Sequence, residues 1–155
     1  MSKLVNVKCS FKIHVNSKEE AIISLVDVVS KEGYLIDKNQ FLEDVLKREE
    51  TLSTYIGHGI GLPHSQSVGV KNSCITIGKL DTPIEWTEEG EKVDLIFLIS
   101  VTKDNENNLH LKILSKLARL LMHESFRNQI RCSDEQTVYN LIKEKIEEEY
   151  YLLYQ

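Results

Sequence analysis

A nearly continuous apolar run, VDLIFLIS at residues 93–100, limits most strongly what this chain can fold into. Its length suits a β-strand, and such a run suits a central strand that is covered on both faces of its sheet. A second segment, SCITIGKL at residues 73–80, also has the character of a strand, and a turn around Glu89-Gly90 separates the two. The chain is therefore predicted to place these strands inside a layered structure.

The amino-terminal half adds one strand and two helices. Residues 5–13 alternate apolar and polar side chains with a period of two, which predicts a half-buried opening strand. Two capping boxes, SKEE at residues 17–20 and DKNQ at residues 37–40, begin helices that run towards Gly33 and to about Glu50.

The carboxyl-terminal half is predicted to be largely helical. A polar loop, TKDNENN, precedes a helical pattern over residues 109–123, and SFRNQIR and DEQTVYNLIKEKIEEE continue with helical character. The tail YYLLYQ is interpreted either as a docking segment or as a frayed end. Helices interleaved with strands predict an α/β layered fold, in which ligand sites gather where strands end and helices begin.

Composition and charge fit one compact domain. The chain has 155 residues, 41% hydrophobic and 28% charged, with neither an internal repeat nor a linker. A net charge of -5 argues against nucleic acid as a partner, because binding to nucleic acid needs a concentrated basic face. The three cysteines have no metal-binding spacing and are expected to be reduced thiols. Without a signal segment or an apolar membrane span, the protein is expected to be cytoplasmic.

The stretch GHGIGLPHSQ at residues 57–66 carries the first candidate functional residue, His64. Pro63 fixes its own φ and holds Leu62 in an extended conformation, so the imidazole is aimed before any ligand arrives. The glycines are expected to leave amide donors uncovered, as phosphate sites often require. A neutral imidazole is a competent nucleophile near neutral pH, and phosphoryl transfer asks mainly for positioning and donors.

A second histidine and an arginine complete the candidate site. His110 falls in the first turn of a predicted helix, where an anion is favoured, and it could donate a hydrogen bond to a phosphoryl group. Taken singly, each residue also has a plainer interpretation: a structural turn for His64, a half-buried side chain for His110 and a solvated cation for Arg48. A zinc site of His58, His64 and His110 is a further alternative, but no HExxH motif or Cys/His cluster supports it.

Two separated motifs of this chain resemble those of a known family. KREETLSTYIGHGIGLPHS resembles the active-site signature of fructose/mannitol-type EIIA components of the bacterial phosphoenolpyruvate-dependent sugar phosphotransferase system, and NNLHLKILSKLARLLMHESFRNQI resembles the family's second segment. The resemblance covers residues 17–146 and implies a mixed, mostly parallel β-sheet flanked by helices on both faces. Two departures stand out, Gly61 where the family usually has alanine and Ser65 where a very small residue is common.

The resemblance also implies roles and partners. His64 would accept a phosphoryl group on Nε2 from the phosphocarrier HPr and pass it to a cysteine of an EIIB partner, while Arg48 and His110 position and neutralise that group. The membrane component EIIC would be involved only indirectly, and no cofactor or metal is expected. Docking is expected to use an apolar rim around His64 to which Ile60 and Leu62 contribute.

Two other functions remain open on the sequence alone. A regulatory, nitrogen-type EIIA module would also need His64, but would control other proteins by docking rather than feed sugar transport. A domain released from a larger transcription regulator ranks last, because the chain begins at Met1 without an attached DNA-binding segment.

Overall fold

The computed structural model describes residues 5–103 and 109–153, the side chains of residues 109, 110 and 149–153 excepted. The elements follow one another along the chain as β1 (Asn6–Ile13), α1 (Lys18–Lys31), α2 (Lys38–Thr51), β2 (Ile60–Gly61), β3 (His64–Ser67), β4 (Cys74–Glu85), β5 (Lys92–Thr102), α3 (Leu109–Leu121), α4 (Glu124–Cys132) and α5 (Glu135–Leu153). Most of the predicted polar loop (residues 104–108) and the last two residues of the tail lie outside the described part. The first four residues of the tail, 150–153, belong to helix α5, which ends at Leu153.

The five strands form one mixed sheet in the order β1-β4-β5, with β2 and β3 both beside β5. Strand β1 runs parallel to β4, β4 runs antiparallel to β5, and both short strands run parallel to β5. The mostly parallel sheet that the resemblance implied is thereby confirmed. The stretch at residues 57–66 was expected to be a loop, and this was wrong for residues 60–61 and 64–66, because they pair with β5 as parts of two short strands.

Helices cover both faces of the sheet, as expected. Helices α1 and α2 pack against one face in a cluster that includes Leu25, Phe41 and Ile96. Helices α3, α4 and α5 pack against the other face around Phe97 and Leu117. Strand β5 contributes to both clusters and is almost entirely buried, which agrees with the apolar run that predicts a central strand. None of the helices in the described residues is long and apolar enough to cross a membrane.

Local signals set the helix starts. The Ser17 hydroxyl accepts a hydrogen bond from the Glu20 amide at the start of α1, and the Asp37 carboxylate accepts one from the Gln40 amide at the start of α2. The β4–β5 turn also lies where the sequence indicates it, since Gly90 takes a left-handed φ of 84° there. These predictions depend on neighbouring residues alone and are confirmed.

Helix α2 is bonded along its length to the segment that carries His64. At its start, the amides of Ile36 and Asp37 donate to the Gly69 carbonyl, and in its middle Asp44 accepts a 2.6 Å hydrogen bond from the Ser67 hydroxyl. At its end, the Glu49 carboxylate accepts hydrogen bonds from Thr54. The whole 54–69 segment is therefore positioned by α2 as well as by β5.

Candidate functional site

Three consecutive left-handed residues form the turn before β2. Gly57, His58 and Gly59 have φ values of 93°, 57° and 75°, which glycine adopts without a steric penalty and histidine adopts only rarely. The Ile60 amide donates back to the Gly57 carbonyl, and the amides of Asp94 and Leu95 both donate to the Gly59 carbonyl. The glycines thus serve to reverse the chain and deliver it to the sheet.

The expectation that the glycines leave amide donors uncovered for phosphate was wrong in part, because several amides of residues 56–62 are already bonded. The Ile56 amide donates to the Ile60 carbonyl, the Ile60 amide to Gly57, the Leu62 amide to Thr54, and the Gly59 amide to the Tyr55 hydroxyl. A glycine-rich turn needs these internal hydrogen bonds to hold its tight geometry.

His64 is the first residue of β3, and its ring is half-buried. Its Nδ1 lies 2.8 Å from the Leu62 carbonyl oxygen. A carbonyl only accepts hydrogen bonds, so Nδ1 carries the proton and the lone pair belongs to Nε2. His64 was expected where a strand ends and a helix begins, but it lies at the start of a strand. The Ile99 amide of β5 donates a 3.0 Å hydrogen bond to the Pro63 carbonyl, and this bond attaches the residue before His64 to the sheet.

Glu49, the residue after the candidate arginine, is buried in the last turn of α2. Its carboxylate accepts hydrogen bonds from the Thr54 amide at 2.8 Å and the Thr54 hydroxyl at 2.6 Å, and it pairs with the Lys18 ammonium at 2.8 Å. Burial alone would raise the pKa of Glu49, but the hydrogen bonds from Lys18 and Thr54 outweigh it and the pKa is lowered. Glu49 is therefore an ionised, fully bonded anchor.

Arg48 lies in the last turn of α2, where its Nη1 donates a 2.8 Å hydrogen bond to the Leu52 carbonyl. This contact closes the end of the helix, as a basic residue at a helix carboxyl terminus commonly does. The segment that follows Arg48 is hydrogen-bonded to the segment that precedes His64, because the Leu62 amide donates to the Thr54 carbonyl. Arg48 and His64 therefore belong to hydrogen-bonded neighbouring segments.

His110 lies in the first turn of α3, as the sequence predicts. Its side chain lies outside the described residues. The expected approach of His110 to His64, and the alternative zinc site of His58, His64 and His110, therefore also lie outside them. Within the described part of the chain, no group of three or more His, Cys, Asp or Glu side chains is arranged to hold a metal ion. The role of His110 in the site stays a prediction.

Arg131 of α4 is a site residue that the sequence did not reveal. Its Nη2 donates to the His58 carbonyl at 2.7 Å and pairs with the Asp94 carboxylate at 2.7 Å, while the Gly59 carbonyl lies 3.5 Å away. Its guanidinium thus donates hydrogen bonds to the carbonyl oxygens that the left-handed turn brings close to each other. No local signal could have identified it, because Arg131 and His58 are 73 residues apart in the sequence.

The two residues expected to contribute to an apolar rim around His64 are buried. Ile60 and Leu62 are 0% and 5% exposed, because both side chains pack into the core beneath the sheet. The prediction that they contribute to the rim was therefore wrong. Exposed apolar side chains occur in the segment between α2 and β2, where Leu52 is 68% and Ile56 39% exposed, and directly after β3, where Val68 is 63% exposed.

The two departures from the family pattern lie in different surroundings. Gly61 packs against the indole of Trp86, and an added Cβ would come within 2.8 Å of the ring. Alanine therefore does not fit at this position without movement of Trp86. Ser65 is half-buried on β3 opposite Ser100 of β5.

The chain has the mixed sheet between two helical layers, and the proline-preceded histidine on a short strand, that are expected of a small α/β phosphotransfer component. The chain belongs to the family described as "Phosphoenolpyruvate-dependent sugar phosphotransferase system, EIIA 2", whose model matches residues 4–145. This membership gives the chain a phosphocarrier role in that system and makes it a phosphotransferase component.

Two curated relatives illustrate the sequence similarity. The chain is 36% identical over 126 residues to the fructose-specific EIIABC component of Bacillus subtilis, of which it spans 20%, with 79% of this chain covered. It is 32% identical over 132 residues to multiphosphoryl transfer protein 1 of Escherichia coli, of which it spans 16%, with 84% of this chain covered. The chain thus corresponds to a fifth or less of the length of these relatives.

Solved structures share the fold. The crystal structure of the mannitol IIA protein from Escherichia coli gives a TM-score of 0.70 at 22% identity, covering 88% of this chain and 95% of that one. Its complex with phosphorylated mannitol IIB gives 0.70 at 21% identity, covering 88% and 93%. The nitrogen regulatory protein IIA-Ntr from Neisseria meningitidis gives 0.68 at 22% identity, covering 94% of each chain.

Proposed function

We propose that this protein is a cytoplasmic carrier that accepts a phosphoryl group from phospho-HPr on Nε2 of His64 and passes it to a cysteine of an EIIB partner. The observation that carries the proposal is the 2.8 Å contact between Nδ1 of His64 and the Leu62 carbonyl, because it leaves the lone pair on Nε2. Membership of the EIIA family supports the same assignment.

The transfer step needs no base. The Nε2 lone pair forms a bond to phosphorus as the bond from phosphorus to the donor protein breaks, and the ring keeps its Nδ1 proton throughout. The ring gains positive charge as that bond forms, and this strengthens the hydrogen bond to the Leu62 carbonyl. Transfer to a thiolate reverses the change: a sulfur–phosphorus bond forms, the Nε2–phosphorus bond breaks and the ring returns to its neutral form.

Arg48 and His110 are proposed to stabilise the phosphoryl oxygens. A guanidinium has five N–H donors, and the hydrogen bond of Arg48 to the Leu52 carbonyl uses one donor, on Nη1. His110 starts α3, where the helix dipole favours an anion. The proposal therefore assigns charge stabilisation to these side chains and includes no metal or organic cofactor.

The partners are proposed to dock on the segment that precedes the turn. Leu52 and Ile56 present apolar side chains there, and a small, transient interface suits proteins that must exchange phosphoryl groups and separate. The complex of mannitol IIA with phosphorylated IIB supports an EIIB partner for a chain of this fold. A cytoplasmic location is supported by three free thiols, which reducing compartments preserve.

Labelling with phosphoenolpyruvate, Enzyme I and HPr tests the assignment of His64. We expect one acid-labile phosphoryl group per chain, present in the wild-type protein and in the control variant His58→Ala, and lost in His64→Ala. Phosphoryl label that persists on folded His64→Ala would contradict the proposal.

Replacement of His110 tests the second histidine. We expect His110→Ala to slow onward transfer to EIIB by about a hundredfold, a typical loss for one donor to transferred charge, while the protein stays folded. His123→Ala, which changes a histidine at the start of α4, is the control and should transfer normally. Equal rates in the two variants would show that His110 takes no part in the transfer, and unfolding of His110→Ala alone would assign it a structural role.

The rival function is a regulatory, nitrogen-type module that uses the same phosphorylation to control other proteins. The likeness to IIA-Ntr extends to the fold, whereas the relatives above 30% identity include a fructose-specific transport component. The transport role is therefore preferred. Transfer from the phosphorylated protein to an EIIB encoded beside it would support transport, and a phosphoprotein that no such EIIB discharges would support regulation.

A further inference from the structure

We propose that Glu49 is a positioning residue for His64, acting through Thr54 and the Leu62 carbonyl to fix which ring nitrogen carries the proton. The effect on phosphoryl transfer rests on the function proposed above, whereas the effect on the ring proton does not. Glu49 touches neither the imidazole nor any reacting atom, so its action is indirect.

The first step is the grip of Glu49 on Thr54. The side chain of Glu49 is 4% exposed, and its two carboxylate oxygens accept the Thr54 amide at 2.8 Å and hydroxyl at 2.6 Å. Two hydrogen bonds from one residue to one buried carboxylate fix both the main chain and the side chain of that residue. Thr54 is itself buried, and its position therefore follows that of Glu49.

The second step runs from Thr54 to the ring. The Thr54 carbonyl accepts the Leu62 amide at 3.2 Å, and the Leu62 carbonyl in turn lies 2.8 Å from Nδ1 of His64. Pro63 restricts the backbone of Leu62 to extended conformations, so anchoring the Leu62 amide also sets the direction of its carbonyl. The ring is thus oriented by a peptide group whose own orientation depends on Thr54.

Lys18 holds the carboxylate in place from the other side. Its ammonium lies 2.8 Å from Glu49, donates to the Trp86 carbonyl at 3.1 Å and lies 4.8 Å from the centroid of the Trp86 ring. A buried carboxylate that is paired and hydrogen-bonded in this way stays ionised and rigid. The chain of contacts therefore begins on α1 and ends at the imidazole.

A purely structural role for Glu49 predicts a different behaviour. If Glu49 only stabilised the fold, a folded Glu49 variant would keep the wild-type proton on Nδ1. If it positions the ring, its loss leaves the Leu62 carbonyl free to turn, and His64 moves towards the Nε2–H form that an unconstrained imidazole prefers. The proton position therefore separates the two roles.

Nitrogen NMR of the ¹⁵N-labelled protein at about pH 8, above the ordinary imidazole pKa of about 6.5, measures the proton position directly. We expect the Nδ1–H form in the wild-type protein and a mixture with Nε2–H in Glu49→Ala, with Glu49→Gln between them because its amide oxygen still accepts from Thr54. The rate of phosphoryl acceptance should fall about tenfold in Glu49→Ala, the value of one typical hydrogen bond.

Asp37→Ala is the matched control, because it removes a hydrogen-bonding carboxylate at the opposite end of the same helix. It should lower stability and leave the proton on Nδ1. Thr54→Val removes one of the two hydrogen bonds to Glu49 and tests the proposal should Glu49→Ala fail to fold. A wild-type Nδ1–H signal in folded Glu49→Ala overturns the positioning role, and so does that signal in both Glu49→Gln and Thr54→Val if Glu49→Ala does not fold. A shifted proton together with unlabelled wild-type His64 would instead overturn the proposed function.

Discussion

The indole of Trp86 lies directly against Gly61, so that an ideal Cβ at position 61 would stand 2.8 Å from Cε2 and 2.9 Å from Cζ2. Trp86 is itself buried at 4% exposure, which leaves the ring little room to retreat. We expect Gly61→Ala to lower the free energy of unfolding by about 1–3 kcal/mol, the usual cost of overpacking. Urea denaturation of the variant measures this loss.

A double-mutant cycle with Trp86→Leu tests the cause of that loss. In the Trp86→Leu background, Gly61→Ala should lower the free energy of unfolding by about 1 kcal/mol less than in the wild type, because the clash with the indole is gone. The control is Gly78→Ala, whose Cβ would meet Leu25 instead of Trp86 and whose cost should not change with Trp86→Leu. Strict additivity between Gly61→Ala and Trp86→Leu would show that the indole is not the obstacle.

Arg131 should hold the left-handed turn closed. In Arg131→Met the aliphatic stem remains, but the hydrogen bonds to the His58 carbonyl and the Asp94 carboxylate are lost. We expect a loss of about 1–2 kcal/mol, since the ion pair is partly exposed to solvent. Amide hydrogen exchange over residues 57–60 should accelerate by about tenfold or more.

Arg127→Met provides the comparison for Arg131. Arg127 lies on the same helix and donates to the Leu121 carbonyl at 2.8 Å, away from the turn. It should lower stability without a selective effect on exchange at residues 57–60. Faster exchange of the turn in both variants alike would mean that general loosening of α4, and not the clamp on His58, is responsible.

Glu49 should make stability depend on pH in the acid range. Its pKa in the folded protein is lowered from the ordinary value of 4.5, so the folded state binds this proton less readily than the unfolded chain does. The stabilisation is therefore complete above about pH 4.5 and is lost as the pH falls through the lowered value. Glu49→Gln should be less stable than the wild type at pH 7, with the difference shrinking below pH 4.5.

Glu50→Gln is the control for that pH dependence, because Glu50 is the exposed neighbour of Glu49 on α2. Unfolding free energies of the three proteins between pH 3 and pH 7 make the measurement. A gap between Glu49→Gln and the wild type that stays constant over this range would rule out the ionised carboxylate as its source.

The sequence is informative wherever structure depends on neighbours along the chain. The caps at Ser17 and Asp37 and the turn at Gly90 all lie where local patterns predict them. Strands β2 and β3 were missed because only two and four residues pair there, and pairing with a distant strand supplies a preference that their composition lacks.

The residues of the site also differ in whether neighbours along the chain or distant contacts reveal them. His64 was found from Pro63 and the glycines beside it, and Arg48 from the motif that the resemblance supplies. Arg131 could not be found, since its contact with His58 exists only after α4 packs against the sheet. The burial of Ile60 and Leu62 was likewise invisible, because an apolar residue next to a functional loop has the same pattern whether it faces the partner or the core.

The three attachments of α2 to residues 54–69 have a dynamic consequence. Local unfolding events in proteins tend to involve contiguous sets of elements that share their contacts. An opening that lifts α2 must break its contacts with Thr54, Ser67 and Gly69, and it leaves the strand that begins with His64 held by its pairing with β5 alone. Each opening of the helix therefore removes half of the support of that strand, and the mobility of the histidine should rise with that of the helix.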